Sequence, residues 1–329
     1  MAHPIHQSTE NSPYGDLTKE VFYRKHRILH HQSFMLNKQN MKIFTQSWRP
    51  DSDSDLLRGL VAMVHGYTLE SSWVSELTAV AVAKANFFVC ALDIQGHGYS
   101  DGYTGHIPDI KPIVGDCMQF FDSARADHPK VPAFLYGESL GGAIAILLCL
   151  EQKSEWSGLI LSGAMCGVSK KMKPVWPLEK LLPMAAFVAP TWRIVITKHP
   201  VSMSYREERK RKLVEKSPNF LKYGKPSAAT ALEFLRVCEY IKKNCHKLEV
   251  PMLMVHGGND TVCDPKSAML VYESAATEDK TLKIYDGTWH QLIGESNERV
   301  ELVFGNIISW IGERAGKEIA NCNTISVQK

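Results

Sequence analysis

One stretch constrains the fold of this 329-residue chain more than any other. The apolar run Ala133-Phe134-Leu135-Tyr136 turns through Gly137-Glu138-Ser139-Leu140-Gly141-Gly142 and resumes as a longer apolar run to residue 150. The short run reads as a buried strand and the long one as a buried helix, which makes the G-x-S-x-G turn the only connection between them. Such a sharp turn forces its central serine into a strained backbone conformation. Glycines two before and two after remove the Cβ atoms that would clash. The serine Oγ then projects beyond the strand at a helix N-terminus, where the macrodipole favours a developing negative charge. Ser139 is therefore the candidate nucleophile. The alternative for the same residues is a tight strand-to-helix turn with Ser139 as a helix cap.

The strand-then-helix step recurs along the chain. Strand patterns at 42–48, 60–65, 87–92, 133–136, 158–161, 252–256 and 282–285 alternate with helical patterns at 73–85, 110–126, 140–152, 229–243, 267–275 and 300–314. The middle strand runs are continuously apolar, as parallel strands covered on both faces must be. This order predicts an α/β fold with a doubly wound, mostly parallel sheet. Ligands in such sheets bind beyond the carboxyl ends of the strands.

From 164 to 225 the alternation stops, and prolines stand at 174, 177, 183, 190, 200 and 218. This stretch is expected to be a helical cap inserted into a core formed by 1–163 and 226–329, with about 1–18 and 315–329 as loosely ordered tails. Within it Leu178, Leu181, Leu182, Ala185 and Val188 fall at helical spacing after Pro177, and Pro183 should kink or split the helix. An apolar stripe usually packs as core. Here no sheet lies ready for it to cover, so Trp176, Leu178, Leu181, Leu182, Phe187 and Trp192 are candidate substrate contacts.

A nucleophilic serine needs a base, and the base needs an orienting acid. In a strand–turn–helix site of this kind the chain order is serine, acid, histidine. Gly257-Gly258-Asn259-Asp260 follows one late strand, and Asp286-Gly287-Thr288-Trp289-His290 follows the last. Of the 13 histidines only His290 stands after that last strand. Asp260 is the candidate acid. Its rivals have better roles elsewhere: Asp264, before Pro265, suits a helix N-cap and Asp286 suits a turn. The oxyanion donors expected are the main-chain N–H of Leu140 and that of Tyr67 in His65-Gly66-Tyr67.

Composition excludes other classes. The chain has 38 basic and 35 acidic residues, and the run 206–212, with five basic and two acidic, carries the excess. That leaves no basic face for nucleic acid. The run itself reads as a solvated helix face, with contact to anionic lipid as its alternative. Neither HxH nor HExxH spacing occurs, and the eight cysteines form no CxxC pair, so neither a metal nor another cofactor is expected. No secretory leader is visible, and the longest apolar stretch, 140–150, falls short of the roughly 20 residues that span a bilayer. A reduced, cytoplasmic protein is expected, with peripheral contact at membrane surfaces through the cap. A non-catalytic receptor on the same fold would show a degraded triad, and all three members are present.

With these segments in view, the chain resembles the plant monoacylglycerol lipase group of α/β hydrolases, which also contains caffeoylshikimate esterases. The resemblance is carried by His65-Gly66-Tyr67, Asp93-Ile94-Gln95-Gly96-His97-Gly98-Tyr99-Ser100, residues 137–142 and 256–265, and Trp289-His290, and it extends from about 34 to 314. It implies an α/β-hydrolase fold with nucleophile Ser139, acid Asp260, base His290 and oxyanion donors Tyr67 and Leu140. It also implies a small ester substrate cleaved through an acyl-enzyme. Monoacylglycerol is the first expectation; a phenylpropanoid ester such as caffeoylshikimate, or transfer to another alcohol, is the alternative. Glu138 stands where animal relatives commonly have His, which leaves the triad intact but loosens any transfer of their substrate preference.

Overall fold

The computed structural model describes residues 2–51, 57–173, 178–193, 200–220 and 224–327. The continuously apolar runs become the centre of an eight-stranded sheet, because only there are both faces of a strand covered. These are β3 (Gly59–Val64), β4 (Phe87–Leu92), β5 (Ala133–Glu138), β6 (Gly158–Ser162) and β7 (Met252–Gly257), nearly every residue of which is buried. With β1 (Ile28–Leu36), β2 (Lys42–Pro50) and β8 (Lys280–Tyr285) the spatial order is β1-β2-β4-β3-β5-β6-β7-β8. β2 runs antiparallel to both its neighbours, and every other pairing is parallel.

Period-two alternation along each strand divides the core. Leu60, Ala62, Val64 and Leu135 pack on one side, against α3 (Lys111–Asp127), α4 (Leu140–Glu151), α8 (Ala228–Asn244) and α9 (Pro265–Ser274). Val61, Met63, Phe134 and Tyr136 pack on the other, against α1 (Lys19–His26), α2 (Ser75–Ala83) and α10 (Asn297–Val327). The expected doubly wound, mostly parallel α/β sheet is the one observed.

Several local expectations need correction. β1 and α1 escaped the sequence patterns, because β1 is mostly exposed and is held by its ladder to β2, from Ile28 opposite Pro50 to Leu36 opposite Lys42. The first residues are not a loose tail. A 3-10 turn at Pro4–Gln7 buries Ile5 completely, and the His3 N–H donates to Glu301 on α10 over 2.5 Å. At the other end α10 continues to Val327. Between β6 and α8 lie α5 (Leu178–Val188), α6 (Pro200–Ser204) and α7 (Glu208–Glu215), and α5 packs on α8. Pro183 sits inside a single helix. The basic run is mostly solvated, as expected, with Arg206, Glu207, Glu208 and Lys212 exposed. The exception is Lys210, which α7 buries together with Leu213 and Val214, since its one apolar side needs cover and the ammonium finds a buried carbonyl, that of Glu295. No described helix is long and apolar enough to cross a membrane.

Candidate active site

β5 ends and α4 begins around Ser139, whose backbone stands at φ 54° and ψ −116°. A residue with a side chain adopts that conformation only when its surroundings over-determine it. They do so here by close approach: a Cβ at Gly137 would overlap the main chain of Gly141 and Gly142, and one at Gly141 would overlap the carbonyls of Val64 and His65. Ser139 makes no side-chain capping bond to α4, which removes the alternative of a simple helix cap.

The turns after β7 and β8 bring the other two candidates to the same point. The Ser139 hydroxyl lies 2.9 Å from Nε2 of His290, and His290 Nδ1 lies 2.7 Å from Oδ2 of Asp260. With the carboxylate on one side, Nδ1 carries the proton and donates it, leaving Nε2 to accept from the serine. The other oxygen of Asp260 accepts the N–H of Val262 at 2.8 Å and of Cys263 at 3.0 Å, so the carboxylate cannot rotate away. All three residues are buried, Ser139 at 9 % exposure and the others below that.

The electrostatics follow from burial and neighbours. Burial alone would raise the Asp260 carboxyl, but the charge and hydrogen bond of His290, together with His256, hold it well below the usual carboxylate range. For His290 burial alone would disfavour the imidazolium; Asp260, helped by Glu138, reverses this and raises its pKa above the ordinary value. Glu138 goes up through burial, opposed by the Gln291 amide and by His290.

The rival acids are accounted for. Asp264 caps α9, accepting the Lys266 N–H at 3.2 Å, and Asp286 is exposed in the turn after β8. His97, flanked by glycines, is buried with Nδ1 3.1 Å from the Gln95 carbonyl oxygen. Two neighbours of the site, both within the segment 256–265, had no role legible in the sequence. His256 Nε2 lies 3.1 Å from Asp260 Oδ2, and the Cys263 sulfur 4.0 Å from Ser139 Oγ. Both depend on where β7 falls in the sheet.

Ser139 and His290 open into a cleft lined largely by apolar side chains that include Leu69, Met165, Leu182, Val201 and Phe234. Tyr67 and Leu140 also line it. Leu140 is the first residue of α4, so its N–H has no carbonyl one turn earlier to bind. The Tyr67 hydroxyl donates to the Gly105 carbonyl at 2.8 Å, fixing the loop that carries the Tyr67 N–H.

Of the six apolar residues expected to meet substrate, only Leu182 lines the cleft among those described. It is 2 % exposed and lines the cleft, whereas Leu181, Phe187 and Trp192 are 48, 88 and 75 % exposed on the outer side. Trp176 and the side chain of Leu178 lie outside the described residues. For Leu181 and Phe187 the physical reason is that α5 is apolar around more than one face, and helical spacing alone does not say which face turns inward. Trp192 lies beyond the end of that helix.

Among the described residues Asp260, Cys263 and His290 bring possible metal-ligating atoms within 4.8 Å of one another. Their chemistry does not suit a resident metal. Both His290 nitrogens and both Asp260 oxygens are committed to hydrogen bonds, and burial pushes the Cys263 thiol well above its ordinary pKa.

Residues 56–297 match the family described as Serine aminopeptidase, S33. The chain is 33 % identical to the caffeoylshikimate esterase of Arabidopsis thaliana over 309 residues, spanning 92 % of each protein. It is 28 % identical to the monoglyceride lipase of Rattus norvegicus over 318 residues, spanning 96 % of this chain and 97 % of that one. In three dimensions it resembles a soluble variant of monoglyceride lipase from Saccharomyces cerevisiae, with TM-score 0.76 at 21 % identity over 86 % of this chain and 94 % of the other, a likeness of fold. The chain thus belongs to the Serine aminopeptidase, S33 family of α/β hydrolases, and within it the relatives described above are serine ester hydrolases.

Proposed function

We propose that this protein hydrolyses monoacylglycerol to fatty acid and glycerol, with Ser139 as nucleophile, His290 as base and Asp260 as its orienting acid. The observation that carries the reading is the unbroken chain from Ser139 Oγ through His290 to Asp260, at 2.9 and 2.7 Å. Ser139 attacks the ester carbonyl as His290 Nε2 takes its proton. The N–H groups of Tyr67 and Leu140 receive the negative charge on the carbonyl oxygen, a contribution of about 3 kcal/mol for each such donor. Asp260 stabilises the imidazolium, which then protonates the departing glycerol oxygen. Water, deprotonated by the same His290, attacks the acyl-serine and releases the fatty acid.

The substrate assignment is supported by the apolar lining of the cleft and by the relatives named monoglyceride lipase. The segment 164–225 acts as the cap in this reading. Its inner face offers Leu182 and Val201 to the acyl chain, and its outer face, with Leu181, Met184, Phe187, Val188 and Trp192 exposed, rests on the lipid surface that supplies it. Ser139→Ala tests the chemistry. It should lose on the order of 10⁴-fold or more in kcat and all labelling by a fluorophosphonate probe, with an unchanged melting temperature. Activity above about a tenth of wild type would assign the reaction to another nucleophile.

A second reading, a phenylpropanoid ester whose alcohol carries a carboxylate, draws on a specific feature. Lys173 and Lys225 both line the cleft, and Lys225 has no carboxylate partner among the described residues. A neutral glycerol moiety makes no use of such a charge; a carboxylate would. Side-by-side assay of a long-chain monoacylglycerol and caffeoylshikimate decides between the two. If Lys225→Met lowers kcat/KM for caffeoylshikimate alone, and wild type prefers that ester, the second reading replaces the first.

A further inference from the structure

The loop that carries His290 is held on one side by the turn after β7, where the Asn259 N–H donates to the Thr288 carbonyl at 2.9 Å, and on the other by the segment between β6 and α8. Six contacts join it to residues 204–210. The Arg206 guanidinium donates to the Gly287 carbonyl at 2.9 Å and lies 3.8 Å from Oε2 of Glu295. The Gln291 N–H donates to the Ser204 carbonyl and the Glu207 N–H to the Gly294 carbonyl, each at 3.0 Å. Lys210, 1 % exposed, donates its ammonium hydrogen to the Glu295 carbonyl. Tyr205 packs so closely on Gly294 that a Cβ there would overlap its ring.

Glu295 is the centre of this arrangement. It too is 1 % exposed, and its Oε1 accepts the Trp289 N–H at 2.6 Å, from the residue immediately before His290. A buried carboxylate is costly unless it is paired and hydrogen-bonded, and here Arg206, Lys210 and that N–H supply the partners. Nothing in the triad chemistry uses it.

We propose that Glu295 is a positioning residue for His290: it fixes the main chain of Trp289 and His290 so that the imidazole reaches Ser139 and Asp260 together, with α6 and α7 as the brace. The inference rests on the assignment of His290 as the base. The same brace carries Val201, Ser204 and Tyr205, which line the cleft, so the wall that meets the substrate and the loop that carries the base move as one piece.

The test uses the full chain and a short acetyl ester, which does not depend on acyl-chain contacts. Glu295→Ala should lower kcat roughly 10- to 100-fold with KM within about twofold, since a displacement near 1 Å in a catalytic group has effects of that size. Glu295→Gln still presents an oxygen to the Trp289 N–H and should recover kcat to within about fivefold of wild type. Arg206→Met, which loosens the brace but leaves Glu295 in place, should lower kcat by about three- to tenfold. The proposal is overturned if Glu295→Ala keeps kcat within twofold, if KM rises in step with the loss, or if Gln is as damaging as Ala. Should Glu295→Ala fail to fold, the Gln and Arg206→Met variants decide, and a wild-type kcat in Arg206→Met sinks the brace. His290→Ala separates the two layers. If it stays active, the base is wrongly assigned; if it is inactive while the Glu295 variants are normal, only the positioning role fails.

Discussion

Leu181 and Leu182 are adjacent in sequence and opposite in the structure, and the contrast makes a sharp test of what the cleft binds. Leu182 is 2 % exposed on the cleft wall, while Leu181 is 48 % exposed on the far side of α5. Replacing Leu182 by Ala removes three carbons. At about 0.8 kcal/mol per CH₂ the most an acyl chain could lose is ~2.4 kcal/mol. One side of the leucine meets the chain and the other packs within the protein, so about half of that, ~1.2 kcal/mol, is expected, or roughly an eightfold loss in kcat/KM. Leu181→Ala should change kcat/KM by less than about twofold in detergent solution, where no lipid surface is present. The assay is a series of monoacylglycerols from short to long acyl chains, with a nitrophenyl acetate control that reports only the triad. For Leu182→Ala the loss should grow with chain length until the chain passes the residue and leave the acetate rate within twofold. A thermal melt checks folding, because removing a buried leucine destabilises by about 2–5 kcal/mol. Equal losses on long-chain and acetyl esters would show that Leu182 is packing core. Equal losses from Leu181→Ala and Leu182→Ala would refute the orientation of α5 itself.

Two further outcomes follow from the site. Because Asp260 and Glu138 favour the imidazolium, the raised pKa of His290 places the acid limb of kcat/KM above the ordinary histidine midpoint of about 6.5; the neutral base is present above that limb and is lost as pH falls through it, and a midpoint below 6 in a pH–rate profile would contradict the arrangement. Asp264→Ala should lose a helix cap, about 1 kcal/mol of stability in a denaturant titration, with kcat intact, whereas Asp260→Ala should lower kcat by at least about 10³-fold; exchange of those two phenotypes would reassign the acid.

Much of this was written locally in the sequence. The strands, the elbow at Ser139 and the turns presenting Asp260 and His290 each depend on residues within a few positions of one another. Apolar runs demand two-sided cover, and glycines mark where a Cβ cannot fit. The order of the three residues along the chain then followed from the sheet type, and the structure brings them to within hydrogen-bonding distance. Other features depended on what lies opposite, which periodicity does not encode. α5 is apolar on more than one face, so its spacing allowed Leu181 and Phe187 to face the substrate, and only docking on α8 turned Leu182 inward instead. The run at 206–212 reads as a solvated charged face and is mostly that, but nothing in it says that Lys210 turns inward and that Gly287, Gly294 and Glu295 meet the run from some 80 residues away. His256 and Cys263 show no catalytic pattern, yet the position of β7 sets them against Asp260 and Ser139. The sequence by itself determined which chemistry the chain carries, because that chemistry sits in short turns with strict steric rules. The tertiary structure alone decided which surfaces enclose the cleft and what packs on the loop that carries His290, because those depend on contacts between segments distant in the chain.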